Sequence, residues 1–276
     1  MSTTRNDSSM NESKTKIPAL MWAFTIVLAL GAALGGYLVG LNEGRDQVPA
    51  PAVAAPAENT QAQQPADISD VEPGTDFSVG DNIDATIYGG GDDGEVGRRN
   101  ANDPMGIGAV DAPIVISEFS SFGCPYCARH NTQTEQHIID EYVDTGLVRL
   151  EWNDLPINGP NSEDAARAGR AAAAQGKFFE FKDALFADFE ARGGQFTADD
   201  FLRYAEEAGV ENLDKFAADA ASDTYDEAIN GSRQFGAGLG INGTPSFVIG
   251  TQIISGALPF EQFEQVINAE LVKAQN

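Results

Sequence analysis

Cys124 and Cys127 are the only cysteines in this chain of 276 residues, and only Pro125 and Tyr126 stand between them. Thiols so close together can form a structural staple, a metal site, a haem attachment point or a redox couple. The staple is weak, because closing a four-residue loop contributes about 2 kcal/mol, the low end for disulfides. Haem attachment needs a histidine directly after the second cysteine, and position 128 is alanine. Zinc needs about four N or S ligands. The two histidines, His130 and His137, would be separated by ~10 Å of rise on one helix and cannot both join the cysteines on one ion. No metal is expected, and each histidine is assigned a packing or helix-surface role.

Redox chemistry fits the spacing. Residues i and i+3 in a first helical turn bring their Cα atoms about 5–6 Å apart, within disulfide range. Pro125 at an early helical position loses no needed hydrogen bond. Cys124 then begins the helix, where partial positive charge favours its thiolate and leaves it poised to meet foreign sulfurs. Cys127, one turn in, is expected to be more buried and to act as the resolving thiol.

The elements that must position this pair can be traced along the chain. The formal net charge is −25, which argues against nucleic acid, since a phosphate backbone calls for a Lys/Arg footprint. Residues 1–16 read as a cytoplasmic tail. Residues 17–41 run without a charge, more than enough to cross the ~30 Å hydrocarbon core and longer than a cleaved signal's apolar region. Arg5, Lys14 and Lys16 precede this span, so a single-pass signal anchor is expected, with everything beyond it outside the cytoplasm. Disulfides persist in such a compartment. Residues 42–76 form a linker rich in Pro, Ala and Gln that cannot bury a core. In the acidic, Gly-rich segment 77–103, "FSVGDNIDATIY" (77–88) suggests an edge strand and "GGGDDGEVG" (89–97) a flexible loop.

The ordered domain is placed at 104–276. The β-branched run at 114–116 is a buried-strand signature. A helix is expected from Cys124 to about Tyr142, ended by Gly146, and "LVRLEW" (147–152) alternates like a strand. Residues 162–238 are expected to be all-helical, with Ser162 as a cap, Ala165, Ala168, Ala172 and Ala173 for close packing, and a Thr197/Asp200 capping box. A strand returns at 245–250, then a turn and a final helix over 259–274. Strands on both sides of a helical block predict an α/β sheet carrying a helical insertion.

Cys-Pro-Tyr-Cys after a strand resembles the thioredoxin superfamily. "GTPSFVIG" (243–250) is similar to the segment that carries its cis-proline, which makes Thr244 and Pro245 that pair, with the Thr244 backbone available to an extended substrate. Glu118 stands six residues before Cys124, where DsbA-type oxidases keep a buried acid. Cys127 and Pro245 are separated by a stretch far longer than a plain thioredoxin fold contains. Together "DAPIVISEFSSFGCPYC", "DLPINGP" and "GTPSFVIG" resemble membrane-anchored DsbA-like thiol:disulfide oxidoreductases of Gram-positive bacteria, over residues 104–274. The resemblance implies a thioredoxin fold with an inserted all-helical subdomain, a redox-active Cys124-Cys127 disulfide, and supporting roles for Pro125, Tyr126 and Glu118. It implies no cofactor. The partners implied are exported proteins with reduced cysteines and a membrane reoxidant, DsbB-like or VKOR-like. Tyr126 stands where many strongly oxidising members have histidine, so oxidase stays open against reductase or isomerase, and a non-catalytic peptide-binding or chaperone module is a third reading.

Overall fold

The computed structural model describes residues 66–91, 94–159 and 161–275. The expected tail, membrane span and most of the linker lie outside them, and no helix among the described residues is long and apolar enough to cross a membrane.

The sheet has five strands. β1 (Gly106–Ile107) is an edge of two residues; β2 (Ile114–Ser120) and β3 (Val148–Asp154) are buried along their whole length; β4 (Ser246–Ile249) and β5 (Gln252–Ser255) form a hairpin. Their order is β1-β3-β2-β4-β5, with β2 and β3 parallel and the other pairs antiparallel. A parallel β2/β3 pair requires a crossover. That crossover is α1, which starts as Pro125–His130 and continues unbroken through a π turn at Asn131–Glu135, an α turn at Gln136–Ile138 and a second π turn at Ile139–Val143. Gly146, at φ 80°, then turns the chain into β3, a left-handed conformation natural to glycine.

Between β3 and β4 lies the helical insertion: α2 (Ser162–Ala173), α3 (Phe178–Ala187), α4 (Phe189–Arg192), α5 (Ala198–Glu207), α6 (Leu213–Ala220) and α7 (Asp226–Gly238). The chain closes with α8 (Phe260–Ala274). Alternation in β2 divides the core. Ile114 and Ile116 pack with Ile138 and Tyr142 of α1 and Phe263, Ile267 and Leu271 of α8, whereas Phe119 packs with Leu155, Ile241 and Val248. The insertion has its own aromatic core, in which Phe122 and Trp152 join Phe178, Phe181 and Phe186. Gly169 of α2 admits the Phe122 ring, since a Cβ there would fall 2.8 Å from it. The Thr197/Asp200 capping box is formed.

Two expectations are corrected. Ser162 is not the cap of α2: Asn161 holds that position, and the Ser162 hydroxyl donates instead to the Asn158 carbonyl. Residues 77–88 form no strand. Their backbone is taken by side chains and by a neighbouring loop, as Ser78 N–H donates to Asp76, Thr86 N–H to Asp84, and Gly80 N–H to the Ala101 carbonyl; such local bonds compete with ladder pairing. Residues 98–103 run as a strap over β3. Arg98 is buried against β3, its backbone N–H donating to Glu151 (2.7 Å) and its guanidinium to Asp103 (2.7 Å), Asn153 (2.7 Å) and the Trp152 carbonyl (2.9 Å). Arg149 completes the layer by donating to Glu151 at 2.7 Å. The polar residues of β3, Arg149, Glu151 and Asn153, thus face a strap of chain that satisfies them.

Candidate functional site

Cys124 closes the turn after β2 and caps α1, with extended backbone (φ −95°, ψ 121°), and Pro125 enters the first turn. Both thiols are free. The Cys124 thiol donates to the Thr244 carbonyl at 3.3 Å, across the cis Thr244–Pro245 bond that leads into β4. Residue 244 is therefore brought to the sulfur from 120 positions away in sequence. The Thr244 hydroxyl donates to Asn158 Oδ1 at 2.8 Å, and a Cβ on Gly123 would fall 2.0 Å from the Asn158 carbonyl oxygen, so residues 155–159 run close beside the cysteine turn. Tyr126 stands out at 54% exposed, with the Arg129 guanidinium 4.8 Å from its ring.

The expected difference in exposure between the two cysteines is absent, since each is 1% exposed. The Thr244 carbonyl against the Cys124 sulfur and the 155–159 segment against Gly123 crowd the start of α1, a contact no local sequence pattern announces. The two thiols differ in charge preference. Cys124 is pulled down to about 6, first by the hydrogen bond from the Cys127 thiol; burial opposes this, and the Thr244 side chain and the N–H groups of Cys127 and Tyr126 at the helix start add to it. Cys127 is pushed well above the ordinary thiol value, first by burial and then by the Cys124 and Glu118 charges.

Glu118 points inward, 3% exposed, between Trp152 of β3 and Phe247 of β4 in the strand register. Burial first, and the Glu135 charge second, raise its carboxyl to about 8, against the pull of Lys182 and Ser120. Glu135 and Lys182 were not foreseen. Lys182, on α3 of the insertion, is buried and ion-paired with Glu135, and stands 3.3 Å from Asp183. Residues 130 and 135 lie about 140° apart on a regular α-helix. The π turn at Asn131–Glu135 removes that offset, and side-chain N and O atoms of Glu118, His130 and Glu135 come within 4.8 Å of one another. His130 has the expected packing role, its ring 4.6 Å from that of Phe247 and 5.1 Å from that of Phe263, and burial pushes its pKa down to about 3. His137 lies 5.3 Å from the Phe260 ring. The cation in the buried cluster is the Lys182 ammonium. A helix-start thiolate, a protonated thiol one turn further on and a buried acid can together exchange disulfides and move one proton.

A family model described as thioredoxin matches residues 100–269, more than half of the chain. The chain belongs to the thioredoxin family. Among curated relatives, the thioredoxin-family region is 26% identical over 171 residues to the probable disulfide bond formation protein D of Bacillus cereus, covering 60% of this chain and 78% of that one. It is also 29% identical over 170 residues to the Na(+)/H(+) antiporter NhaA 3 of Salinispora tropica, covering 61% of this chain but spanning only 25% of the antiporter's length. Among solved structures, oxidised BdbD from Bacillus subtilis superposes with a TM-score of 0.57 at 19% identity, over 61% of this chain and 92% of that one. DsbA of Chlamydia trachomatis superposes with a TM-score of 0.55 at 22% identity, over 62% of this chain and 92% of that one, so the fold with its helical insertion is shared with DsbA.

Proposed function

We propose that this thioredoxin-family protein is an extracytoplasmic thiol:disulfide oxidoreductase that forms disulfides in exported proteins through Cys124-Pro-Tyr-Cys127. The observation that carries the reading is the Cys124 sulfur at the start of α1, 3.3 Å from the Thr244 carbonyl at the cis Thr244–Pro245 bond, with its pKa drawn down to about 6 while that of Cys127 is pushed up. A thiol that readily leaves as thiolate makes the disulfide containing it an oxidant.

In the oxidised enzyme a substrate thiolate attacks the Cys124 sulfur. The substrate–Cys124 bond forms, the Cys124–Cys127 bond breaks, and the Cys127 sulfur leaves with the electron pair and takes a proton. Glu118, protonated at neutral pH, is the acid placed to supply it. A second substrate thiolate then attacks the substrate sulfur and expels Cys124 as thiolate. The substrate loses two electrons and the enzyme holds them as a dithiol. Pro125 sets the helix start, Tyr126 offers an exposed ring to the substrate, and Thr244 and Pro245 flank the attack path.

Reoxidation falls to a membrane partner of the DsbB-like or VKOR-like kind. The uncharged 17–41 stretch serves as the anchor and the chain after it as a linker that ends where Ile68 and Val71 pack into the β2–α1–α8 core, with the catalytic domain outside the membrane. The relative from Bacillus cereus, a probable disulfide bond formation protein, supports this reading. Reductase or isomerase activity on the same fold is the second reading, favoured by Tyr126 between the cysteines. Oxidation of reduced ribonuclease, compared with refolding of scrambled ribonuclease, separates them: the proposal expects fast oxidation and poor unscrambling, and the reverse pattern would overturn it.

A further inference from the structure

Beneath the two sulfurs lies a buried cluster of Glu118, Glu135 and Lys182, of which disulfide exchange as written above uses only Glu118. The carboxyl oxygens of Glu118 and Glu135 lie within 4.8 Å of each other, both residues buried, with Lys182 bonded to Glu135. We infer that Glu135 and Lys182 are positioning residues of the redox centre, which together hold the proton on Glu118 that Cys127 receives when the disulfide opens. This rests on the reading of Cys124 and Cys127 as the exchanging pair.

Two buried carboxylates this close do not both ionise unless cations compensate them. One ammonium is present. Paired to Glu135, it stabilises charge there and leaves the proton to Glu118. Of the remaining groups facing the cluster, only Cys127 takes that proton, and only when the disulfide opens. From α1 come Cys124, Cys127 and His130; both nitrogens of His130 lack a hydrogen-bond partner, and burial keeps the ring neutral. From α3 come Lys182 and Asp183, the latter largely exposed and 3.3 Å from the ammonium. The strands beside Glu118 present Trp152 and Phe247, which carry no charge. When the Cys127 sulfur leaves the disulfide, the Glu118 O–H bond breaks and an S–H bond forms. The carboxylate so created is compensated by Lys182 until water returns a proton. The helical insertion thus contributes a charge to the chemistry of the thioredoxin core.

Two substitutions separate this from a purely structural role, because they act in opposite senses. In the full reduced chain, carboxyl-carbon NMR follows Glu118, its signal assigned with Glu118→Gln, and the unmutated midpoint is expected at about 8. Glu135→Gln removes the like charge and frees Lys182 to act on Glu118, so the midpoint moves down by about one pH unit or more. Lys182→Met removes the cation, so the midpoint moves up. The double variant, which leaves no buried charge unpaired, falls between the two. Either single variant that folds decides the matter. A Glu118 midpoint unmoved in the variants, or moving the same way in both, would overturn the inference. The titration needs no turnover, so its failure leaves the disulfide-exchange reading standing, and failure of ribonuclease oxidation leaves the titration result standing.

Discussion

At the scale of single residues, the account assigns opposite tasks to two sulfurs three positions apart. Cys124 in the reduced protein ionises near pH 6, so its alkylation rate is expected to rise through an inflection there, with Cys127→Ser used to isolate it. The same variant is expected to accumulate mixed disulfides with substrate on non-reducing gels, whereas Cys124→Ser forms none. The depressed pKa has a definite sign for stability. A thiol titrating near 6 when folded and near its ordinary value when unfolded contributes stability at alkaline pH, lost as pH falls toward 6. The reduced form should therefore lose stability relative to the disulfide form on acidification through that window, measurable by denaturant unfolding of both forms. Glu118 works the other way. Its pKa, raised to about 8, favours the fold at acidic pH and costs stability as pH rises from the ordinary carboxylate value through 8. Glu118→Gln is expected to raise stability at pH 9 and to slow oxidation at neutral pH, and a variant less stable at pH 9 would count against the assigned charge state.

At the scale of elements, the sequence spoke unevenly. The strands β2 to β4, the crossover α1, the insertion and α8 were legible because each carries an apolar period or a cap that stands on its own. Cys124, Cys127, Glu118 and the Thr244–Pro245 pair were legible because they sit in motifs. Glu135 was not, because a π turn carries it onto the His130 face, and a 3.6-residue period places it elsewhere. Lys182 was hidden among the regular positions of an amphipathic helix. The strap over β3 was unreadable for a different reason: it is built from backbone and side-chain hydrogen bonds with no repeat. Its keystone is Arg98, buried among Asp103, Asn153 and the Trp152 carbonyl. Removing one partner of a buried ion pair costs about 3–5 kcal/mol. Arg98→Met is expected to lose that much in urea unfolding without moving the Cys124 inflection, and a loss below about 1 kcal/mol would show that the strap is dispensable.

For the whole molecule, the physical logic is that two cores converge on one short turn. The β2–α1–α8 core fixes the helix whose start carries Cys124, and the aromatic core of the insertion fixes Lys182 below it. The Thr244–Pro245 turn, the route into β4, reaches the same sulfur from the far side of the chain. On the proposed function, that convergence stabilises the reduced state, as a disulfide that gives up its bond readily requires. The most direct test is a redox-equilibrium titration of the two thiols against glutathione. The account predicts a potential well above that of thioredoxin, displaced toward the value of about −120 mV of a strong oxidant; a potential at or below about −270 mV would contradict it.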